Sequence, residues 1–212
     1  MEIRFSKIIP APIPERDIAE SEIWGRDIFL GSGEKVLVYA DSGKGKTTFI
    51  NIIFGTRKDF RGDAFLDDKN INELSLDDYS LIHKSKLSIV PQGLLLFPEL
   101  TVMDNILIKN RIQNRLSSTR IAEMLNILGM TGFENRKAGL LSFGQRQRIA
   151  IIRSLCQSFE YILLDEAFSH LDTTNTQIAW DLIKSEAEKQ DAGIIITSLD
   201  KNFDSSLKKL RV

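Results

Sequence analysis

Ala40-Asp41-Ser42-Gly43-Lys44-Gly45-Lys46-Thr47-Thr48 separates a β-rich run, Lys35-Val36-Leu37-Val38-Tyr39-Ala40, from Lys46-Thr47-Thr48-Phe49-Ile50-Asn51-Ile52-Ile53-Phe54, which has the apolar spacing of a buried helix. Strand, glycine-containing turn and helix in that order make a loop able to wrap a phosphate chain. Backbone N–H donors can curl around the anion where glycine lets them approach, at Gly43 and Gly45. The opening turn of the helix adds unpaired N–H groups and the positive end of its dipole. Lys46 is expected to set its ammonium against the β- and γ-phosphates, and the Thr47 hydroxyl to ligate Mg²⁺. Asp41, Ser42, Gly43, Lys44, Gly45, Lys46, Thr47 and Thr48 are the candidate binding residues. Lys44 either faces solvent or makes a secondary phosphate contact. The usual pattern opens with Gly where this chain has Ala40, which is harmless if its φ is negative.

Outward from this loop, short apolar runs alternate with longer helical periods. Leu87-Ser88-Ile89-Val90-Pro91 predicts a strand stopped by its proline. Tyr161-Ile162-Leu163-Leu164-Asp165 and Ala192-Gly193-Ile194-Ile195-Ile196-Thr197 read as strands buried on both faces of a parallel sheet. Thr101 to Asn114, Thr119 to Leu128 and Gly144 to Gln157 have helical periodicity, with stops near Gly129 and Gly139. The order implies an α/β core. Ile9-Pro10-Ala11-Pro12-Ile13-Pro14-Glu15, with three prolines, predicts a turn or edge excursion.

The 212 residues include 28 Lys plus Arg against 29 Asp plus Glu, a formal net charge of −1. That balance and a length of one domain point away from a nucleic-acid coat and from disorder. The single Cys156 excludes an internal disulfide and fits a reducing compartment, and no Cys/His spacing resembles a zinc site. Cys156 reads as a small buried hydrophobe, and His83 and His170 as surface or hydrogen-bonded structural residues. No apolar run approaches the ~20 residues that cross a bilayer.

Asp165 and Glu166 close the run that begins at Tyr161, at the strand end where open α/β sheets bind ligands. Asp165 there can orient Mg²⁺ and Glu166 can polarise the attacking water. A helix N-cap with an adjacent acid has the same appearance, and the phosphate loop is what favours the chemical reading.

Leu141-Ser142-Phe143-Gly144-Gln145-Arg146-Gln147, 20 residues before Asp165 when counted from Gln145, resembles the signature of the ATP-binding cassette (ABC) ATPases, Leu-Ser-Gly-Gly-Gln. Ser142 and the N–H groups of Gly144 and Gln145 open a helix and form a second anion-facing end. The resemblance implies that this end reaches the γ-phosphate held by another cassette. It places Gln92 at the Q-loop, contacting Mg²⁺ and the attacking water, and Asp172 of Ser169-His170-Leu171-Asp172 in the D-loop, where two cassettes meet. It implies one ABC ATPase domain over 1–212: a P-loop core, an antiparallel β portion near the start, and a helical lobe over about 98–148. ATP and Mg²⁺ are the implied cofactors. Catalysis is assigned to Glu166, Gln92 and Lys46, and metal ligation to Thr47, Gln92 and Asp165.

Two positions depart from the family pattern. Leu199 falls where the family has a histidine, removing a hydrogen-bond donor to the γ-phosphate, and Phe143 replaces a signature glycine. Neither Phe5 nor Trp24 suits the adenine-stacking role, and both read as core residues. The resemblance implies a detached ATPase subunit working with separate membrane-spanning permease subunits and a second cassette, as homodimer or heterodimer, on the cytoplasmic face of the cell membrane. No nucleic-acid partner is expected. A soluble ABC ATPase, or an ATP sensor with weak hydrolysis, is the alternative.

Overall fold

The computed structural model describes residues 1–212, the side chain of Glu15 excepted. In chain order the first elements are β1 (Ile3–Pro10), α1 (Glu15–Glu20), β2 (Asp27–Leu30), β3 (Lys35–Tyr39), α2 (Lys46–Phe54), β4 (Phe60–Leu66) and β5 (Lys69–Asn70). They are followed by α3 (Leu76–Ser85), β6 (Leu87–Val90), α4 (Val102–Gln113), α5 (Ser118–Ile127) and α6 (Phe143–Leu155). The chain closes with β7 (Tyr161–Asp165), α7 (Thr173–Glu188), β8 (Gly193–Ser198) and β9 (Lys208–Arg211).

Five strands form a parallel sheet in the order β6-β7-β8-β3-β9, and four form an antiparallel sheet in the order β2-β1-β4-β5. Alternation along each parallel strand divides its side chains between two cores. Leu37, Ile162, Leu164, Ile194 and Ile196 pack on the side that holds apolar residues of α4, α5, α6 and α7. Val36, Val38, Tyr161, Leu163 and Ile195 pack on the other, with α2 and the antiparallel sheet. Each fully buried aliphatic side chain contributes about 1.5–3 kcal/mol. This two-sided burial is why the central strands read as unbroken apolar runs, and it fixes the carboxyl ends of β3, β7 and β8 side by side.

The expected strands and the helices after the phosphate loop are present within two residues at each end. Thr101 proves to be the N-cap of α4, accepting from the Asp104 N–H at 3.0 Å, and Asn114 its left-handed C-cap. The proline-rich segment differs from expectation in one respect: it leads into the short α1. Pro14, at φ −64°, precedes the first helical residue and orders the chain for it.

Candidate functional site

The phosphate loop sits on the indole of Trp24. Gly45 adopts φ +106°, and a Cβ there would come within 3.3 Å of the Trp24 ring and Val212. Ser21 Oγ accepts the N–H groups of Ile23 and Trp24 at 2.9 and 2.8 Å, which anchors this floor. Trp24 and Phe5 are fully buried, in accordance with their sequence reading as core. Gly43 also takes a positive φ, 79°, and a Cβ there would meet only open space, so it lies on the loop's outer rim. Ala40 stays outside the left-handed region, the condition its presence required.

Lys46 opens α2, and its ammonium folds back to donate to the carbonyls of Ala40 at 2.9 Å and Asp41 at 3.1 Å. It also lies 3.3 Å from Glu166 Oε1. Asp41 and Ser42 are exposed on the loop. Two loop side chains are otherwise engaged: Lys44 pairs with Asp17 of α1 at 2.6 Å, and Thr48 Oγ1 accepts from Arg57 at 2.8 Å.

The acidic pair stands opposite. Thr47 Oγ1 is 3.2 Å from Asp165 Oδ1, and Gln92 Nε2 donates to Glu166 Oε2 at 3.3 Å. Thr197, next door on β8, donates to Asp165 Oδ1 at 2.8 Å and accepts the Glu166 N–H at 3.0 Å. Glu166 holds a left-handed backbone, φ +50°, a conformation that costs on the order of 1–3 kcal/mol and turns its carboxylate toward Lys46 and Gln92. Burial raises the Asp165 pKa, and the Glu166 charge adds to this, while hydrogen bonds from Thr197 and Thr47 and the Lys46 charge oppose it. A buried carboxylate beside a hydroxyl, with the side-chain amide of Gln92 at the neighbouring Glu166, brings together residues whose oxygens are the hard donors that suit Mg²⁺. Thr47, Asp165 and Gln92 would hold that ion.

The loop carrying Gln92 is pinned from behind. Arg153 donates to the carbonyls of Leu94 and Leu95, both left-handed, and Asn105 bonds the Phe97 backbone in both directions.

The signature end is built by reciprocal capping. Ser142 Oγ accepts the Gln145 N–H at 3.2 Å, and the Gln145 side chain accepts the Ser142 N–H at 2.9 Å. Gln145's own N–H is therefore occupied, and the Phe143 and Gly144 N–H groups remain at the mouth of α6. Gly144 has a packing reason as well: a Cβ would lie 2.8 Å from the His170 carbonyl. Phe143 lies against His170, with ring centroids 4.1 Å apart and planes tilted by 44°, and Gln147, buried, bonds both Ser169 and the His170 N–H. Asp172 caps α7 through the Asn175 N–H at 2.8 Å.

Beyond β8, Leu199 is 62% exposed and, with Ser198, Thr197, Ser169 and Glu166, lines a cavity of about 260 Å³. No imidazole lines it. His83 is elsewhere, 2.9 Å from the Phe54 carbonyl and stacked on that ring, and burial lowers its pKa. Cys156 is buried, its thiol pushed up to about 12 by desolvation.

Thr197 and Gln147 also belong to the site, although no motif gives them a role there. Thr197 did carry a signal, as the first hydroxyl after the unbroken apolar run Ile194-Ile195-Ile196. Arg153 carried none, since the Leu95 and Leu94 carbonyls that it holds lie 58 and 59 residues earlier.

A phosphate-wrapping loop facing an acidic strand end across a parallel sheet defines a P-loop nucleotide-binding ATPase. The family described as ABC transporter matches residues 27–169, and the chain belongs to that family, as an ATP-binding subunit with the ABC ATPase fold. It is 35% identical over 175 residues to the thiamine import ATP-binding protein ThiQ of Histophilus somni (strain 129Pt), covering 81% of this chain and 79% of that one. It resembles the dimeric structure of MJ0796, a bacterial ABC transporter cassette, with a TM-score of 0.81 at 25% identity, covering 99% of this chain and 94% of that one. The post-hydrolysis dimer of MJ0796 bound to ADP and Pi gives 0.80 at 26% identity over 95% and 89%. No helix among the described residues is long and apolar enough to cross a membrane.

Proposed function

We propose that the chain binds and hydrolyses ATP as the motor of a transporter whose membrane-spanning subunits are separate proteins, working on the cytoplasmic face of the membrane through them. The observation that carries this reading is a pair of joined contacts at the strand end: Thr47 lies on Asp165, Lys46 and Gln92 lie on Glu166, and Thr197 bonds both acidic residues. Lys46 holds the β- and γ-phosphates, and the loop N–H groups orient them. Glu166, freed from Lys46 when phosphate takes its place, accepts a proton from the attacking water, with Gln92 fixing the carboxylate. Mg²⁺ held by Thr47, Asp165 and Gln92 supplies charge neutralisation at the phosphates.

In this reading Ser142 and the free N–H groups of α6 face the γ-phosphate of a second cassette, so two chains close over ATP and hydrolysis reopens them. The dimeric relatives support it. Of the two directions of transport, import is supported, by the role in the name of the ThiQ relative. The permease contact is assigned to the apolar patch of Leu95, Phe97 and Leu140, exposed at 71%, 52% and 79%. The Gly139 N–H bonds the Pro98 carbonyl at 2.9 Å and brings these loops together.

The test is purification from cells with ATPase assay. A multispanning partner should co-purify and be lost in Phe97→Asp/Leu140→Glu, with ATP binding kept; a chain found only in soluble complexes counts against the transporter reading. A second reading, an ATP sensor, is favoured by Leu199, since one missing oxyanion donor typically costs about 10²–10³ in rate. Turnover of the wild type no higher than that of Glu166→Gln, with ATP still bound, selects the sensor.

A further inference from the structure

We propose that His170 of one subunit supplies the imidazole that the nucleotide site of the other lacks, its Nε2 hydrogen-bonding the γ-phosphate beside the partner's Glu166. The inference rests on the dimer reading above and goes beyond it by naming the donor.

The chain has two histidines. His83 is committed to the Phe54 carbonyl and stacked on its ring. His170 is exposed, on the loop between β7 and α7. Its Nδ1 lies 2.9 Å from Ser169 Oγ, which leaves Nε2 without a partner among the described residues. Its backbone is set against the first turn of α6: the N–H donates to Gln147 at 3.1 Å, and the carbonyl occupies the space that a Gly144 side chain would need. Its ring rests 4.1 Å from Phe143. The imidazole therefore belongs to the same end of the molecule as Ser142 and the open α6 N–H groups, the end that faces the partner's phosphate.

Two departures from the family pattern then explain each other. Leu199 removes the imidazole from the chain's own cavity, and Phe143 supplies an aromatic surface that holds a different imidazole at the signature end. Donation from Nε2 to a phosphoryl oxygen is a hydrogen bond. The proton of the attacking water still goes to Glu166, and the products remain ADP and phosphate.

Mixed dimers test this. His170→Ala should lower kcat about 10²-fold with KM for ATP nearly unchanged, and Leu199→His in that background should restore most of the loss. In a dimer of one Lys46→Ala chain with one His170→Ala chain, the surviving phosphate loop faces an intact His170, and about half of wild-type turnover is expected. In a dimer of a Lys46→Ala/His170→Ala chain with a wild-type chain, the surviving loop faces none, and turnover should fall about 10²-fold. Equal rates in the two mixtures, or the reverse order, overturn the proposal. A second readout avoids turnover: in Glu166→Gln with ATP and Mg²⁺, the ¹⁵N imidazole signal of His170 should shift and that of His83 should not. A dimer whose His170 signal stays in place overturns the proposal alone, whereas a chain that remains monomeric under saturating ATP overturns the dimer reading with it.

Discussion

The carboxyl ends of β3 and β7 and the first turn of α6 are both places where an anion could rest, but they are built in different ways. At the strand ends, Lys46, Asp165 and Glu166 grow out of segments buried on both faces, and each side chain already has a partner within the chain. At α6, Ser142 and Gln145 cap each other at the surface, and the neighbouring groups, Ser169 and His170, are exposed. The first region can be assembled by one chain, because the sheet core fixes its geometry. The second presents donors outward, and its position relative to the first depends on how helices α4 to α6 are held.

The largest expected effect breaks the strand-end region directly. Glu166→Gln keeps the shape but removes the proton acceptor, and ATPase assays should show a drop of about 10³-fold with ATP binding retained. A rate within a few-fold of wild type would show that another group takes the proton.

Glu186 on α7 sharpens the comparison from the other side. It is buried and accepts from Arg115 at 3.2 Å and Arg120 at 2.7 Å, tying α7 to the segment that opens α5. Glu186→Ala should cost toward the low end of the ~3–5 kcal/mol for breaking a buried pair, since Arg120 stays a quarter exposed, as read by denaturant unfolding. Burial alone raises the Glu186 pKa, but hydrogen bonds from Lys189, Arg120 and Arg115 outweigh it and hold the carboxyl below its ordinary 4.5. A depressed carboxylate pKa contributes stability that is present above 4.5 and is lost as pH falls through the folded value. Acid unfolding of wild type should therefore be steeper below 4.5 than that of Glu186→Gln; identical pH profiles would remove the ion pair from the account.

Thr197→Val keeps volume but strips the hydroxyl from Asp165 and from the Glu166 N–H. A loss of about 1–3 kcal/mol is expected in unfolding experiments, with weakened Mg²⁺-dependent ATP binding. The smallest effect belongs to Lys44→Ala. Its partner is Asp17, so stability should change by less than about 1 kcal/mol and ATP affinity by little. A large loss of affinity would put Lys44 back on the phosphates.

The phosphate loop, the acidic strand end and the helical periods were legible because each is written in consecutive residues whose spacing has one physical reading. The short α1 was not, since three prolines resemble a turn more than the approach to a helix. Lys44 looked like a loop cation because Asp17, 27 residues earlier, is invisible as its partner in a linear chain. Gln147 and Arg153 likewise look like ordinary polar residues of a helix until the D-loop and the Gln92 loop are folded against them.

What the chain alone determined is therefore the set of local chemistries: a glycine turn that admits phosphate, acids at the end of a buried strand, and a signature that opens a helix. Tertiary structure decided which of those groups touch. It brought Thr197 onto Asp165 and Glu166, turned Glu166 toward Lys46, and set His170 on Phe143. The physical reason is range: backbone preference and apolar period act over a few residues, whereas hydrogen bonds and ion pairs between strands and helices exist only after two-sided burial of the sheet has fixed their separation.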